Sequence, residues 1–173
     1  MAERRLYLLR HAKSSWKEQG LADHDRPLAG RGRRATKTIR RYLKQQGIDP
    51  ALVLCSTATR ARQTLEGIEP ALGRGTVRVE RELYGAGSVE LLARLQDVSP
   101  RVQSVMVIAH NPGLQDLALW LARDGSEELE EKFPTAALAT LAFRGPWAEL
   151  DRGNAELAAF VRPRDLEHGP DEA

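Results

Sequence analysis

Residues 104–113 read Ser104-Val105-Met106-Val107-Ile108-Ala109-His110-Asn111-Pro112-Gly113. From Val105 to Ala109 the side chains are apolar without interruption. A strand with one wet face alternates apolar and polar residues, whereas one that is apolar throughout is covered on both faces, as in parallel sheets. The run stops at His110. Asn111 suits a helix cap and Pro112 the first helical position, so a helix is predicted to about Ala122. A strand that delivers a histidine to its carboxyl end and passes straight into a helix is half of a β–α–β unit.

The same design recurs on both sides of this stretch. Arg5 to Leu9 is a short apolar run ending in Arg10-His11. Leu52 to Cys55 is a second, followed by Ser56-Thr57-Ala58-Thr59, whose hydroxyls suit the cap of a helix reaching about Ala71. Between them, Ala35, Ile39, Tyr42 and Leu43 recur at helical spacing from about Gly30 to Gln46, and Gly47 stops the helix. Val77 and Val79 mark a short strand, Val89 to Leu95 a short helix, and Leu138 to Phe143 and Ala155 to Val161 two final strands. Alternating strands and helices predict an α/β fold: a three-layer sandwich with a mostly parallel central sheet and helices on both faces. No repeat or linker interrupts it. Residues 1–162 are expected to form a single domain, Asp124 to Glu131 a loop, and 163–173 a polar, frayed tail.

Composition sets outer limits. Of 173 residues, 42% are hydrophobic and 29% charged, the balance of a globular chain able to build a core without staples. No run approaches the ~20 apolar residues of a membrane span, and Met1 to Leu6 leads into a strand without a cleavage site, so no signal peptide is read. One cysteine excludes an internal disulfide framework and points to a reducing, cytoplasmic setting. Four histidines and one cysteine leave little for a structural zinc site. The net charge of +2 conceals an asymmetry: residues 1–62 carry 15 Lys or Arg against 5 Asp or Glu, and the remainder 11 against 19. A basic first third suggests an anionic partner, although most such charges simply solvate a helix face.

In sheets of this kind, ligands bind beyond the carboxyl ends of the strands. Three strands end there in Arg10-His11, in Ser56 with Arg60 and Arg62 one turn later, and in His110-Asn111. Each piece alone is weak. Together, two imidazoles and one or two guanidiniums converging on one edge, without an obvious carboxylate partner, make an anion site. Arginines would repel a metal ion, so no metal and no cofactor are expected.

These residues carry a family resemblance. Arg10-His11-Ala12-Lys13-Ser14 resembles the Arg-His-Gly opening motif of the histidine phosphatase, or phosphoglycerate mutase-like, superfamily. Leu28-Ala29-Gly30-Arg31-Gly32 is similar to its Leu-Thr-x-x-Gly element, Ser56 to Thr64 to its Ser-x-x-x-Arg-Ala-x-Gln-Thr segment, and His110-Asn111-Pro112-Gly113 to the second histidine motif of the small SixA-type phosphohistidine phosphatases. The resemblance runs in order from Arg5 to about Leu121. One departure is Ala12 in place of Gly. Another is the acid that larger members place before a Tyr-Gly or Phe-Gly pair: ungapped from Tyr84-Gly85, that position is Arg81, leaving Glu82, or Glu80, as the candidate proton donor after a shift.

The resemblance implies a metal-independent hydrolase of the phosphoric monoester and phosphohistidine class. His11 would attack phosphorus, with one ring nitrogen unprotonated and the other donating to a backbone carbonyl. Arg10, Arg60 and a protonated His110 would clamp the phosphate, and Ser14 would add a hydroxyl. Asn111 is read as a structural helix cap. Without a firm acid the site suits an imidazole leaving group better than an alkoxide. Only 47 residues, Gln63 to Ala109, separate the second and last motifs, where larger relatives carry a lid. The expected substrate is therefore a phosphohistidine on another protein, acted on by a monomer. The alternatives are a broad-specificity phosphomonoesterase of the same superfamily, or a module binding anionic ligands or nucleic acid through its basic third. Aromatics make up only 5% of the chain and Tyr42 alone interleaves with the basic helix, so no nucleic-acid stacking platform is expected. A cysteine phosphatase needs five residues between Cys and Arg, and Cys55 and Arg60 have four. His24-Asp25 as half of a metal site lacks persuasive partners, and His24 and His168 are read as surface residues.

Overall fold

The computed structural model describes residues 2–167. Six strands form one sheet in the order β3-β2-β4-β1-β5-β6: β1 is Glu3–Arg10, β2 Leu52–Ser56, β3 Thr76–Glu80, β4 Ser104–Ala109, β5 Leu138–Arg144 and β6 Glu156–Val161. β3, β2, β4 and β1 pair in parallel, and β5 is antiparallel to both β1 and β6. The mostly parallel α/β architecture is thus as expected. The uninterrupted apolar run of β4 is explained by its neighbours, since it lies between β2 and β1 with both faces buried.

The two faces divide the strand residues by parity. Leu6, Leu8, Leu54, Val105 and Val107 pack with Leu91 and Leu95 of α3 (Ser88–Gln96) and Leu114 and Leu117 of α4 (Gly113–Leu121). Tyr7, Leu9, Val53, Cys55, Met106 and Ile108 pack with Ile39 and Leu43 of α1 (Gly30–Gln46) and Leu65 and Ile68 of α2 (Thr59–Ile68). α1 ends where the sequence says it should, on Gly47 at φ 63°, in the left-handed region that glycine tolerates.

Three local readings need correction. Asp124 to Glu131 is not wholly loop: Glu127–Glu131 forms a short helix, α5, capped by Ser126, which accepts from the Leu129 amide. The tail is not frayed from Pro163, because Pro163–Glu167 forms α6, held by Arg162 on Asp165, with Leu166 against the α1 side of the core. The hydroxyls after β2 do not cap α2, whose cap is Ala58; Ser56 serves a histidine instead, as described below.

Gly32 lies where α1 crosses the segment after β1. A Cβ there would stand 2.2 Å from the Lys13 carbonyl oxygen, which already accepts from the Ala29 amide. Alanine would gain about 1 kcal/mol of helix propensity. The clash is with backbone that cannot swing aside, and overpacking of this kind costs about 1–3 kcal/mol. Gly32→Ala is expected to lower the thermal midpoint by roughly 2–8 °C and to reduce activity, because Lys13 is two residues from His11. A midpoint at or above wild type would refute the close approach.

Candidate active site

The carboxyl ends of β1, β2 and β4 bring His11, Ser56 and His110 to one edge. The His11 and His110 ring centroids are 5.1 Å apart and tilted by 52°. Both rings are buried, as is Arg60, while Arg10 is partly buried. Two neighbouring parallel strands, β1 and β4, therefore juxtapose histidines 99 positions apart in the chain.

His11 is fixed by its own backbone. Its Nδ1 lies 2.8 Å from the Ala12 carbonyl. A carbonyl only accepts, so Nδ1 carries the proton and Nε2 presents a lone pair. Burial, with His110, Arg60 and Arg10 adding repulsion, pushes the ring's pKa down to about 3 against the Ala12 bond, which opposes the shift. At neutral pH, His11 is a neutral imidazole with its Nε2 unprotonated. Ala12 stands where the family motif has glycine without needing glycine's freedom, since its φ is not positive; it is fully buried, and its amide donates to Thr64 Oγ1 at 2.9 Å.

His110 Nε2 lies 2.8 Å from Ser56 Oγ, and Ser56 Oγ also accepts from the Ala58 amide. The hydroxyl keeps one proton and one lone pair for Nε2, so it serves either tautomer of the ring; when it donates to Nε2, Nδ1 carries the ring proton. Burial and Arg60 lower the His110 pKa to about 4. The imidazolium that the resemblance implies is a neutral ring in these surroundings.

Arg10 Nη1 donates to the Phe133 carbonyl at 2.9 Å. Arg60 donates through Nη1 to the Asp23 carbonyl at 2.7 Å and through Nη2 to its carboxylate at 3.0 Å. Among the described residues, the buried side-chain polar atoms with no protein partner are Arg10 Nε, Arg60 Nε and His110 Nδ1. All three belong to this cluster. Buried donors without acceptors are costly and rare, and this set matches what an oxyanion would satisfy.

The remaining candidates have other partners. Ser14 is buried, and its Oγ accepts from Arg26 at 2.9 Å. Glu82 is exposed on the 3₁₀ turn after β3. Glu80 is bound by both arms of Arg94, at 2.7 and 3.0 Å. The cap of α4 is Pro112, one place later than expected; Asn111, just before it, accepts from the Gln115 amide and donates to the Phe133 carbonyl. Arg62 turns back to the Thr57 carbonyl. Cys55 is fully buried, and burial raises its thiol pKa to about 12, the opposite of an activated nucleophile. Cys55→Ser is expected to leave turnover within about twofold of wild type; loss of activity would reinstate the cysteine.

The structure adds residues that the sequence reading missed. Asp23 accepts from Arg60, from Arg26 Nε at 3.2 Å and from the Tyr84 hydroxyl at 2.6 Å. Tyr84, followed by Arg60, holds the Asp23 carboxyl down at about 2. The Tyr84 ring stands edge-on to His110 at 5.5 Å and to His24 at 4.8 Å. His24 is therefore not a plain surface residue: it is half-buried, with Nε2 2.8 Å from Thr57 Oγ1. His168 lies outside the described residues. Among the described residues, no three His, Cys, Asp or Glu side chains group as metal ligands, and no helix is long and apolar enough to cross a membrane.

The depressed histidines couple protonation to stability. An unfolded histidine takes up a proton near pH 6.5, while folded His11 and His110 do so only near 3 and 4. Stability contributed above pH 6.5 is lost as the pH falls toward 4, by up to about 1.4 kcal/mol per pH unit for each ring. The thermal midpoint should decline from pH 7 to pH 5, and less steeply in His110→Asn. Equal slopes in the two proteins would contradict the burial argument.

Comparison with known proteins follows from this geometry. The sequence profile of the histidine phosphatase superfamily (branch 1) matches residues 6–90. The phosphohistidine phosphatase SixA of Escherichia coli K12 is 31% identical over 139 residues, covering 79% of this chain and 83% of that protein. A Nakamurella multipartitia structure, provisionally assigned as phosphohistidine phosphatase SixA, superposes with a TM-score of 0.82 at 33% identity over 94% of this chain and 98% of its own. The protein histidine phosphatase SixA complexed with tungstate superposes at 0.78 with 28% identity, over 94% and 99%.

Proposed function

Since the chain belongs to the histidine phosphatase superfamily and is a SixA-type phosphatase, we propose that it hydrolyses a phosphohistidine carried on another protein, through a phosphorylated His11. The observation that carries this reading is the His11 ring, whose Nδ1–H is tied to the Ala12 carbonyl while its Nε2 lone pair stands beside the unpartnered donors of Arg10, Arg60 and His110.

In the first step His11 Nε2 forms a bond to phosphorus, and the bond from phosphorus to the substrate's ring nitrogen breaks. The electron pair leaves on that nitrogen, and because the substrate ring's other nitrogen is already protonated, the ring departs as neutral imidazole. In the second step water attacks phospho-His11. Inorganic phosphate departs, and Nε2 recovers its lone pair. Arg10, Arg60 and His110 Nδ1–H hold the phosphoryl oxygens through both steps, with the Ser56 hydroxyl donating to His110 Nε2. Ser14 acts at one remove, by holding Arg26 beside Asp23.

The substrate class follows from the carboxylates. An alkoxide leaving group needs a proton from a neutral acid. Glu80 is ion-paired, Glu82 is exposed, and Asp23 is held ionised at about 2. Imidazole, with a conjugate-acid pKa of about 6.5, leaves without such help. A phosphohistidine peptide and 3-phosphoglycerate, assayed side by side, are expected to differ by at least about 100-fold in kcat/KM in favour of the peptide, within the range ascribed to general acid catalysis. Faster turnover of the glycerate ester would replace this reading with that of a phosphomonoesterase.

A further inference from the structure

A cleft of about 720 Å³ opens between Lys13, the start of α1, the segment 132–135 and α6. Its lining residues adjoin, in the chain, residues that hold the active site. Phe133, which follows Lys132, gives its carbonyl to Arg10 and Asn111. Ala136, which follows Thr135, donates its amide to the Arg10 and His11 carbonyls. Lys13, which also lines the cleft, is two residues from His11.

The cleft is lined by Lys13, Arg31, Arg34, Lys132 and Arg164. All five are exposed, and none is within ion-pair distance of a carboxylate among the described residues. Glu128, Glu131 and Glu167 also border it. Glu128 reaches Arg162 at 3.9 Å, and Arg162 is held more tightly by Asp165 at 2.9 Å. The unpaired surplus is therefore positive.

A second observation points the same way. α1 opens Gly30-Arg31-Gly32-Arg33-Arg34, with no acidic residue in its first turn and no side-chain cap. Cations at a helix amino terminus oppose the helix dipole. Arginines kept there against local stability are placed for something other than folding.

We infer that this cleft is a docking surface for a carboxylate-rich segment of the protein that bears the phosphohistidine, gripping it while the phosphorylated ring enters between His11 and His110. The occupant's identity rests on the phosphohistidine-protein reading above; the cleft's preference for acidic polypeptide does not. Long-range attraction between the cleft and its partner speeds encounter and weakens with salt.

The test uses two histidine peptides that differ only in six flanking residues, all Glu or all Gln, each prepared unphosphorylated with a fluorophore and as the phosphohistidine form. At about 50 mM salt, fluorescence anisotropy is expected to show the unphosphorylated Glu peptide binding roughly tenfold tighter than the Gln peptide, and the advantage should collapse near 500 mM. Arg31→Glu with Arg34→Glu should abolish it, and so should Lys132→Glu, which lies on a separate segment and guards against misfolding of the first variant. Both variants should hydrolyse the phosphorylated Gln peptide within about twofold of wild type, while KM for the Glu form rises. Equal binding of the two peptides, or a preference that survives in both variants, overturns the inference. Tighter, Arg31- and Arg34-dependent binding of a single-stranded oligonucleotide overturns it in favour of nucleic acid. Intact Glu-peptide binding with no hydrolysis of either phosphopeptide upholds the docking surface and defeats the substrate reading alone.

Discussion

Replacing His11 with alanine is expected to abolish phosphate release, lowering kcat by about 10⁴-fold or more, the scale on which loss of a covalent nucleophile is felt. The reason is specific to the geometry. Nε2 of His11 is held unprotonated by burial and by the Nδ1–H bond to Ala12, and the nearest ring, His110, is turned so that Nε2 engages Ser56. His11→Asn should lose as much, since the amide roughly matches the ring's size but has no nucleophilic nitrogen. Phosphate binding should survive in both variants, because the guanidiniums remain. Residual turnover within about tenfold of wild type would remove His11 from the reaction.

Arg60→Ala is expected to reduce kcat/KM by roughly 10²–10³-fold, the cost of removing one preorganised oxyanion donor. Arg60 is buried, and its Nε is among the donors without a protein partner, while Nη1 and Nη2 are anchored on Asp23. Arg60→Lys should rescue little, because an ammonium cannot hold Asp23 and the phosphoryl oxygens with one fixed fork. The variant also frees Asp23 from one partner, although Tyr84 and Arg26 still hold it. Asp23→Asn should therefore weaken activity less than Arg60→Ala does, by loosening the arginine without deleting it. Steady-state kinetics of the three variants check this order, and an Asp23→Asn defect equal to or larger than that of Arg60→Ala would make Asp23 the principal group.

The sheet was legible because Val105 to Ala109 of β4 and Leu6 to Leu9 of β1 are apolar without interruption, as befits strands covered on both sides. The convergence of His11, Arg60 and His110 followed, since parallel strands deliver their carboxyl ends to one edge and the first two motifs flank that edge in sequence. What the residues hid was the loop from Lys13 to Leu28. Its polar, turn-rich composition looks like solvated chain, yet Arg26 is buried, stacks 3.5 Å from the Trp16 ring centre and bonds both Ser14 and Asp23. A buried arginine has no local signature, because its partners come from elsewhere in the chain. Asp23 was missed for the same reason: Arg60 and Tyr84 are 37 and 61 positions away. The lowered pKa of His110 was not legible in the sequence, because burial, which dominates it, depends on what the fold packs around the ring. The ends of α2 and the helices α5 and α6 were blurred by weak caps and polar composition, where propensity decides little.

The central claim is that the phosphoryl group passes through His11 Nε2. It is tested most directly by quenching the enzyme in alkali within milliseconds of mixing with a phosphohistidine peptide, and then locating protein-bound phosphate by mass spectrometry. The account predicts a phosphoryl group on His11, stable in alkali, lost in acid and absent from His11→Ala. Phosphate found on His110 or Cys55, or full turnover with no phosphoenzyme at any quench time, would contradict it.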